Sequence, residues 1–188
     1  QALVNLEAKG MVEIRPRKGV FVSNYRENGS LNMLTSLLTF EDGQLPEDFS
    51  KSLLAFRKLL EVETAIHATR NRTDEHLAHF ERILAEEQDV ANCSPEALTD
   101  LDFRFHLQVA AASGNIIYPL IINSFKSVYT GITSLFFQQY CDTPIVSEVY
   151  TYHHRLVEAI AARNEGEAAS LMTAMLEHGA RYLKGAQE

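Results

Sequence analysis

The sequence predicts an all-α protein: an antiparallel bundle of about six to seven helices, preceded by a short helix and a β-hairpin. Three observations carry this. From Leu31 onward the apolar residues recur at helical spacing, with no convincing strand pattern. Helix start and stop signals punctuate that stretch at short intervals. The one alternating segment, Met11 to Val22, is interrupted by Pro16-Arg17-Lys18-Gly19, a turn flanked by two short apolar runs.

Taken in order, residues 1–10 read as the end of a helix, with Leu3, Leu6 and Val4 on its apolar side and Gly10 as its stop. Met11, Val12 and Ile14 pair with Val20, Phe21 and Val22 as a hairpin with a basic tip. The polar stretch around residues 26–30 reads as a linker, which gives domains at 1–25 and 31–188. Leu31, Leu34, Leu37 and Leu38 mark a short helix, and Pro46 opens a long one. Thr73 caps the next, and Ser94-Pro95-Glu96 starts another. Ser113-Gly114-Asn115 breaks the pattern. Ile116 to Tyr140 continues as one long helix, bent near Pro119 or Gly131. Pro144 begins a helix to about Arg163, Asn164–Glu167 turns, and Ala168–Leu183 closes the bundle.

Composition narrows the class. The chain has 188 residues, 46% of them hydrophobic, which suits one good core and a small appendage. No apolar run approaches the ~18 residues of a membrane span. The opening residues lack the cationic start and apolar stretch of a secretory leader, so a cytoplasmic protein is expected. The chain begins without Met and inside an amphipathic pattern, as a fragment would. Cys93 and Cys141 read as ordinary thiols. Residues 1–25 hold four basic and two acidic side chains, net +2, so the remainder carries −10 of a total of −8. An acidic body with a basic head binds nucleic acid through the head if at all.

The most informative run is DFRFHLQVAAASGN, Asp102 to Asn115. Asp102 and His106 stand one helical turn apart on one face, among residues apolar enough to be core. A carboxylate and an imidazole aimed inward need a partner. A metal ion, a ligand or another side chain would each serve. Arg57 and Glu61 are likewise polar groups within an apolar helix. Arg57 would clamp a carboxylate with its planar fork, or pair with Glu61 at i,i+4. Asn115 would cap the turn after Gly114 or face the pocket. His76 and His79 are expected on a solvated face, with His67 similarly uncommitted. The chain has no G-x-S-x-G, H-E-x-x-H, Gly-rich phosphate loop or Cys-His pairing, so no enzyme is expected.

Four stretches together resemble the GntR family of bacterial transcription regulators, in its FadR-like subfamily with an all-helical FCD effector domain. They are LVNLEAKGMVEIRPRKGVFV, FRKLLEVETAIHATRNRTDEHL, DFRFHLQVAAASGN and HHRLVEAIAARNEGEAASLMTAMLEH. The first resembles the C-terminal part of a winged helix-turn-helix, its last helix and its wing. The resemblance implies a ligand-responsive regulator, usually a homodimer, that binds operator DNA. Arg15, Arg17, Lys18 and Gly19 then form the DNA-contacting wing tip. It also implies a divalent metal ion (Zn, Ni or Mn) held by Asp102, His106, His153 and His178. A small carboxylate effector would sit near Arg57 and Asn115. His154 would face away from its neighbour. The His153–His178 spacing is longer than the family pattern by close to one helical turn. A strict count reaches Met175, so His178 fits through an insertion in the Arg163–Glu167 turn. Two alternatives stay open, a metal-dependent helical hydrolase or lyase and an acyl-CoA-type effector domain without metal.

Overall fold

Residues 2–29, 33, 47–89 and 94–185 are described in a computed structural model of the chain. The chain divides into two units, Gln1–Leu45 and Pro46–Glu188.

In the first unit, α1 (Ala2–Ala8) leads into a hairpin of β1 (Val12–Arg15) and β2 (Gly19–Val22), antiparallel with Val12 opposite Val22 and Arg15 opposite Gly19. Gly10 ends the helix at φ +76°, and a Cβ there would lie 2.1 Å from the Asn28 carbonyl oxygen. Both the left-handed backbone and the close approach require glycine. At the tip the Lys18 N–H donates to the Arg15 carbonyl at 3.0 Å. Pro16 takes the second position of that turn and Arg17 the third, at φ 64°, where glycine is usual. Glu7 ties helix to hairpin by accepting from the Ile14 N–H at 2.8 Å. Where a linker is expected the chain forms a helical turn, α2 (Tyr25–Asn28). The reason is local: the Glu27 and Asn28 N–H groups both bond the Asn24 carbonyl, and Asn24 Nδ2 donates to the Glu27 carboxylate across the turn. Of the helix expected over Leu31–Leu38 only Met33 is among the described residues, and Cys93 lies outside them.

In the second unit the described residues form seven helices. They are α3 (Glu47–Asn71), α4 (Asp74–Asp89), α5 (Pro95–Ala112), α6 (Ile117–Ser124), α7 (Lys126–Tyr140), α8 (Pro144–Ala161) and α9 (Glu165–Gly185). None is long and apolar enough to cross a membrane. The caps are those the sequence announces. The Ser94 hydroxyl accepts from the Ala97 N–H, and the Thr73 hydroxyl from the His76 N–H. Two boundaries differ from expectation. Ile116–Tyr140 is not one helix: it breaks at Phe125 (φ −97°, ψ 7°), between α6 and α7. Pro119 sits in the first turn of α6, where its missing N–H costs nothing. Phe125 packs against Phe56 of α3, ring centroids 5.1 Å apart. The last helix starts at Glu165 because Asn164 caps it, accepting from the Glu167 N–H at 3.2 Å.

α5 is the central element; eleven of its 18 residues are buried. Its Leu101, Phe105 and Val109 join the main core with Phe80 and Ile83 of α4, Leu156 and Ile160 of α8, and Met172 of α9. One end of the bundle is tied by arginines. Arg70 makes a two-pronged pair with Glu165, Arg72 donates to the Ala161 carbonyl, and Arg163 donates to the carbonyls of Thr69 and Arg70. These last satisfy carbonyls that the end of α3 leaves open.

Candidate metal centre

Asp102 and His106 project from one face of α5 into the interior, and α8 brings His153 to meet them. All three are buried, with ligand atoms within 4.8 Å of one another. The imidazoles of His106 and His153 lie 5.9 Å apart, nearly perpendicular. Phe105, between the two α5 residues, forms the plate on which His153 stacks, at 3.8 Å and 17°. α5 thus supplies two candidate ligands and the surface that orients the third.

Four further side chains surround this group. Tyr129 of α7 donates its hydroxyl to Asp102 Oδ2 at 2.8 Å. Glu61 of α3 contacts His106 Nδ1 and receives Arg57 Nε at 2.6 Å. Glu87 of α4 meets His153 Nδ1 at 2.6 Å. The Arg57 guanidinium also lies 4.1 Å over the Tyr129 ring. Burial pushes the Glu61 carboxyl upward, but Arg57 and His106 outweigh it and hold Glu61 at about 2. Burial likewise opposes the charge on Arg57, yet Glu61, Tyr129 and Asp102 overcome it and raise Arg57 further. Burial raises Tyr129 well above its usual 10, aided by Asp102 and Glu61 against Arg57, so the phenol remains a donor.

The donor set suits a divalent cation. His153 Nε2 is buried with no hydrogen-bond partner, and Asp102 Oδ1 faces it at 3.7 Å, too far for a hydrogen bond. Glu61, Glu87 and Asp102 bring three carboxylates against the one guanidinium of Arg57. Buried carboxylates that outnumber the guanidinium call for a further positive charge. Two nitrogens and a carboxylate oxygen are the ligands that Zn²⁺, Ni²⁺ and Mn²⁺ accept.

The structure brings together three of the four expected ligands. His178 lies apart from them: its Nε2 meets Glu148 at 2.9 Å, and its ring packs among Phe136, Tyr152 and Tyr182. The physical reason is the α8–α9 corner. With Asn164 capping α9, only residues 162–164 separate the two helices, too few for the extra turn of chain that would carry His178 inward. Met175, at the strict family count, is buried in the main core. His154 stands off the cluster near Gln88, as expected.

Arg57 takes the i,i+4 pairing with Glu61 rather than standing free. It also lines a small cavity of about 30 Å³ with Glu61, Tyr129 and apolar side chains of α3, α6 and α7. Asn115 does not line that cavity. Its side chain caps α6 by accepting from the Ile117 N–H at 2.9 Å. In the first unit Arg15, Arg17, Lys18 and Gly19 are all exposed, with Arg15 partly engaged by Glu13 and by the Phe21 ring.

Glu87 and Tyr129 are absent from the sequence reading. Each had a signal, since Glu87 falls in register with Phe80, Ile83 and Leu84, and Tyr129 with Thr133 and Phe136.

Residues 52–178 match the FCD domain family. The chain is 29% identical over 187 residues to the HTH-type transcriptional regulator LutR of Bacillus subtilis, covering 98% of this chain and 83% of that protein. It is 32% identical over 137 residues to the fatty acid metabolism regulator protein of Yersinia enterocolitica; that match covers 73% of this chain but only 55% of the relative. Among solved structures, Streptococcus agalactiae GntR superposes with a TM-score of 0.63 at 22% identity, covering 96% of this chain and 78% of that one. Escherichia coli McbR/YncC does so with 0.70 at 14% identity, covering 100% and 79%. At those identities the structures support the fold alone. Both sequence relatives are named as regulators, in agreement with the expectation of a non-enzyme. The chain belongs to the FadR-like, FCD-domain branch of the GntR transcriptional regulators.

Proposed function

We propose that this regulator senses a small carboxylate metabolite through a helical domain that holds one divalent cation on Asp102, His106 and His153. The observation that carries the proposal is the buried trio of Asp102, His106 and His153, with an unpartnered imidazole nitrogen facing the carboxylate. A bound cation would neutralise the cluster and supply a Lewis-acidic point to which an acid could attach. Arg57, its fork aligned by Glu61 and its face on Tyr129, is the side chain suited to hold the rest of such an acid. His178 is left out of the ligand set.

Arg15, Arg17, Lys18 and Gly19 would meet operator DNA as the tip of a wing, in a cytoplasmic homodimer. Effector binding would change operator affinity only by its differential affinity for two arrangements of the protein, about 1–3 kcal/mol of coupling. The test is elemental analysis of purified protein, joined to thermal melts with EDTA and with added Zn²⁺, Ni²⁺ or Mn²⁺. A cation that binds the folded form raises the melting temperature. Protein without metal, and with melts indifferent to every ion, rules the proposal out. A panel of small acids, scored by melting shift and by operator affinity, then identifies the effector.

A further inference from the structure

We infer that Glu87 is a positioning residue for the metal centre: it holds His153 as the Nδ1–H tautomer, so that Nε2 presents its lone pair to Asp102 and His106. This rests on the proposed cation site. Glu87 Oε1 lies 2.6 Å from His153 Nδ1, and a carboxylate only accepts. The ring nitrogen is therefore the donor, and in a neutral imidazole the proton on Nδ1 leaves Nε2 bare. Nε2 is the nitrogen on the side of Asp102, and it has no hydrogen-bond partner.

Two contacts fix the ring in complementary ways. Stacking on Phe105 fixes its plane. Stacking alone would still permit a flip that exchanges the two edges of the ring; the bond to Glu87 selects one edge. Glu87 meets the nitrogen on the far edge from Asp102, so it lies behind the ligand and is not one itself.

Glu87 is 2% exposed, and its Oε2 is buried without a partner. A half-satisfied buried anion is costly, and a glutamine would make the same bond without the charge. What the anion adds is basicity. An imidazole that donates to a carboxylate is a stronger electron-pair donor through its other nitrogen.

The test compares the full chain with Glu87→Gln, which keeps an acceptor, and Glu87→Met, which removes it at similar length. Zinc affinity is read by chelator competition, and the His153 tautomer by ring ¹⁵N NMR of metal-free protein at pH 8. The expected result is an Nδ1–H pattern in wild type, retained in E87Q and lost in E87M. Zinc affinity should fall about 10- to 100-fold in E87M and less in E87Q. A wild-type His153 in the Nε2–H form overturns the inference. So does an E87M that keeps the wild-type tautomer and zinc affinity. Should E87M fail to fold, the wild-type and E87Q spectra and affinities decide. Wild-type protein that takes up no zinc removes the cation site itself, a failure distinguished by a His153 spectrum that still shows Nδ1–H.

Discussion

Tyr129 donates its hydroxyl to Asp102 Oδ2 at 2.8 Å, leaving Oδ1 as the carboxylate oxygen that faces His153. Tyr129→Phe removes the donor and leaves a buried oxygen unpaired. We expect a loss of about 1.5–3 kcal/mol in urea unfolding of the metal-free protein, the range for hydrogen bonds to charged groups. Saturating zinc should shrink that loss, because a cation on Asp102 offsets the missing donor. An equal loss with and without zinc would show that Asp102 does not touch the ion.

His178 and Asp102 make a contrasting pair. Asp102→Ala should abolish the zinc-dependent rise in melting temperature. His178→Ala should leave that rise intact while lowering the baseline melt, since it empties a buried site between Phe136, Tyr152 and Tyr182. Loss of the zinc response in H178A would return His178 to the ligand set.

Arg57 and Glu61 stabilise each other beneath His106. Arg57→Met leaves the Glu61 carboxylate buried beside an imidazole alone, and about 3–5 kcal/mol of stability should go with it. The pair also sets an acid dependence. Glu61 is held at about 2 against an ordinary 4.5, so its contribution is complete above pH 4.5 and lost as the pH falls toward 2. By linkage that contribution is on the order of 3 kcal/mol at neutral pH. In EDTA, the stability gap between wild type and Glu61→Gln should therefore be widest near pH 7 and narrow steadily below pH 4.5. A gap independent of pH would refute it.

At the hairpin tip, Arg17→Ala with Lys18→Ala should weaken operator binding about equally on all sequences. The slope of log affinity against log salt should fall by about 2 in magnitude if both contact phosphate. The variant should melt like wild type, as both side chains are exposed. An unchanged salt slope would place the DNA contacts elsewhere.

The parts of this protein legible from its sequence are those fixed by local chemistry. Ser94, Thr73 and Gly10 announce their helix ends because capping is a short-range bond. Asp102 and His106 declare themselves because one helix holds both. What stayed hidden depends on contacts between distant segments. His153 and Glu87 are 66 residues apart, and nothing in AEEQD says that Glu86 turns outward to Arg104 while Glu87 turns inward. The apolar register of α4 separates them only once that register is extended to a charged residue. His178 shows the opposite side of the same limit. Its place in the motif looked right, but the tight corner capped by Asn164 leaves it beside Glu148. The break at Phe125 follows from packing on Phe56, again a partner that spacing cannot supply.

Asp102 and His106 ride on a single rigid rod, so the span between them is set by helix pitch and hardly varies. The third member of the trio stands on the neighbouring rod, and the aromatic ring of Phe105 is the shim on which its imidazole rests. Were a cation to sit among the three, its fit between the two rods would depend on a hydrocarbon side chain that itself binds no ion.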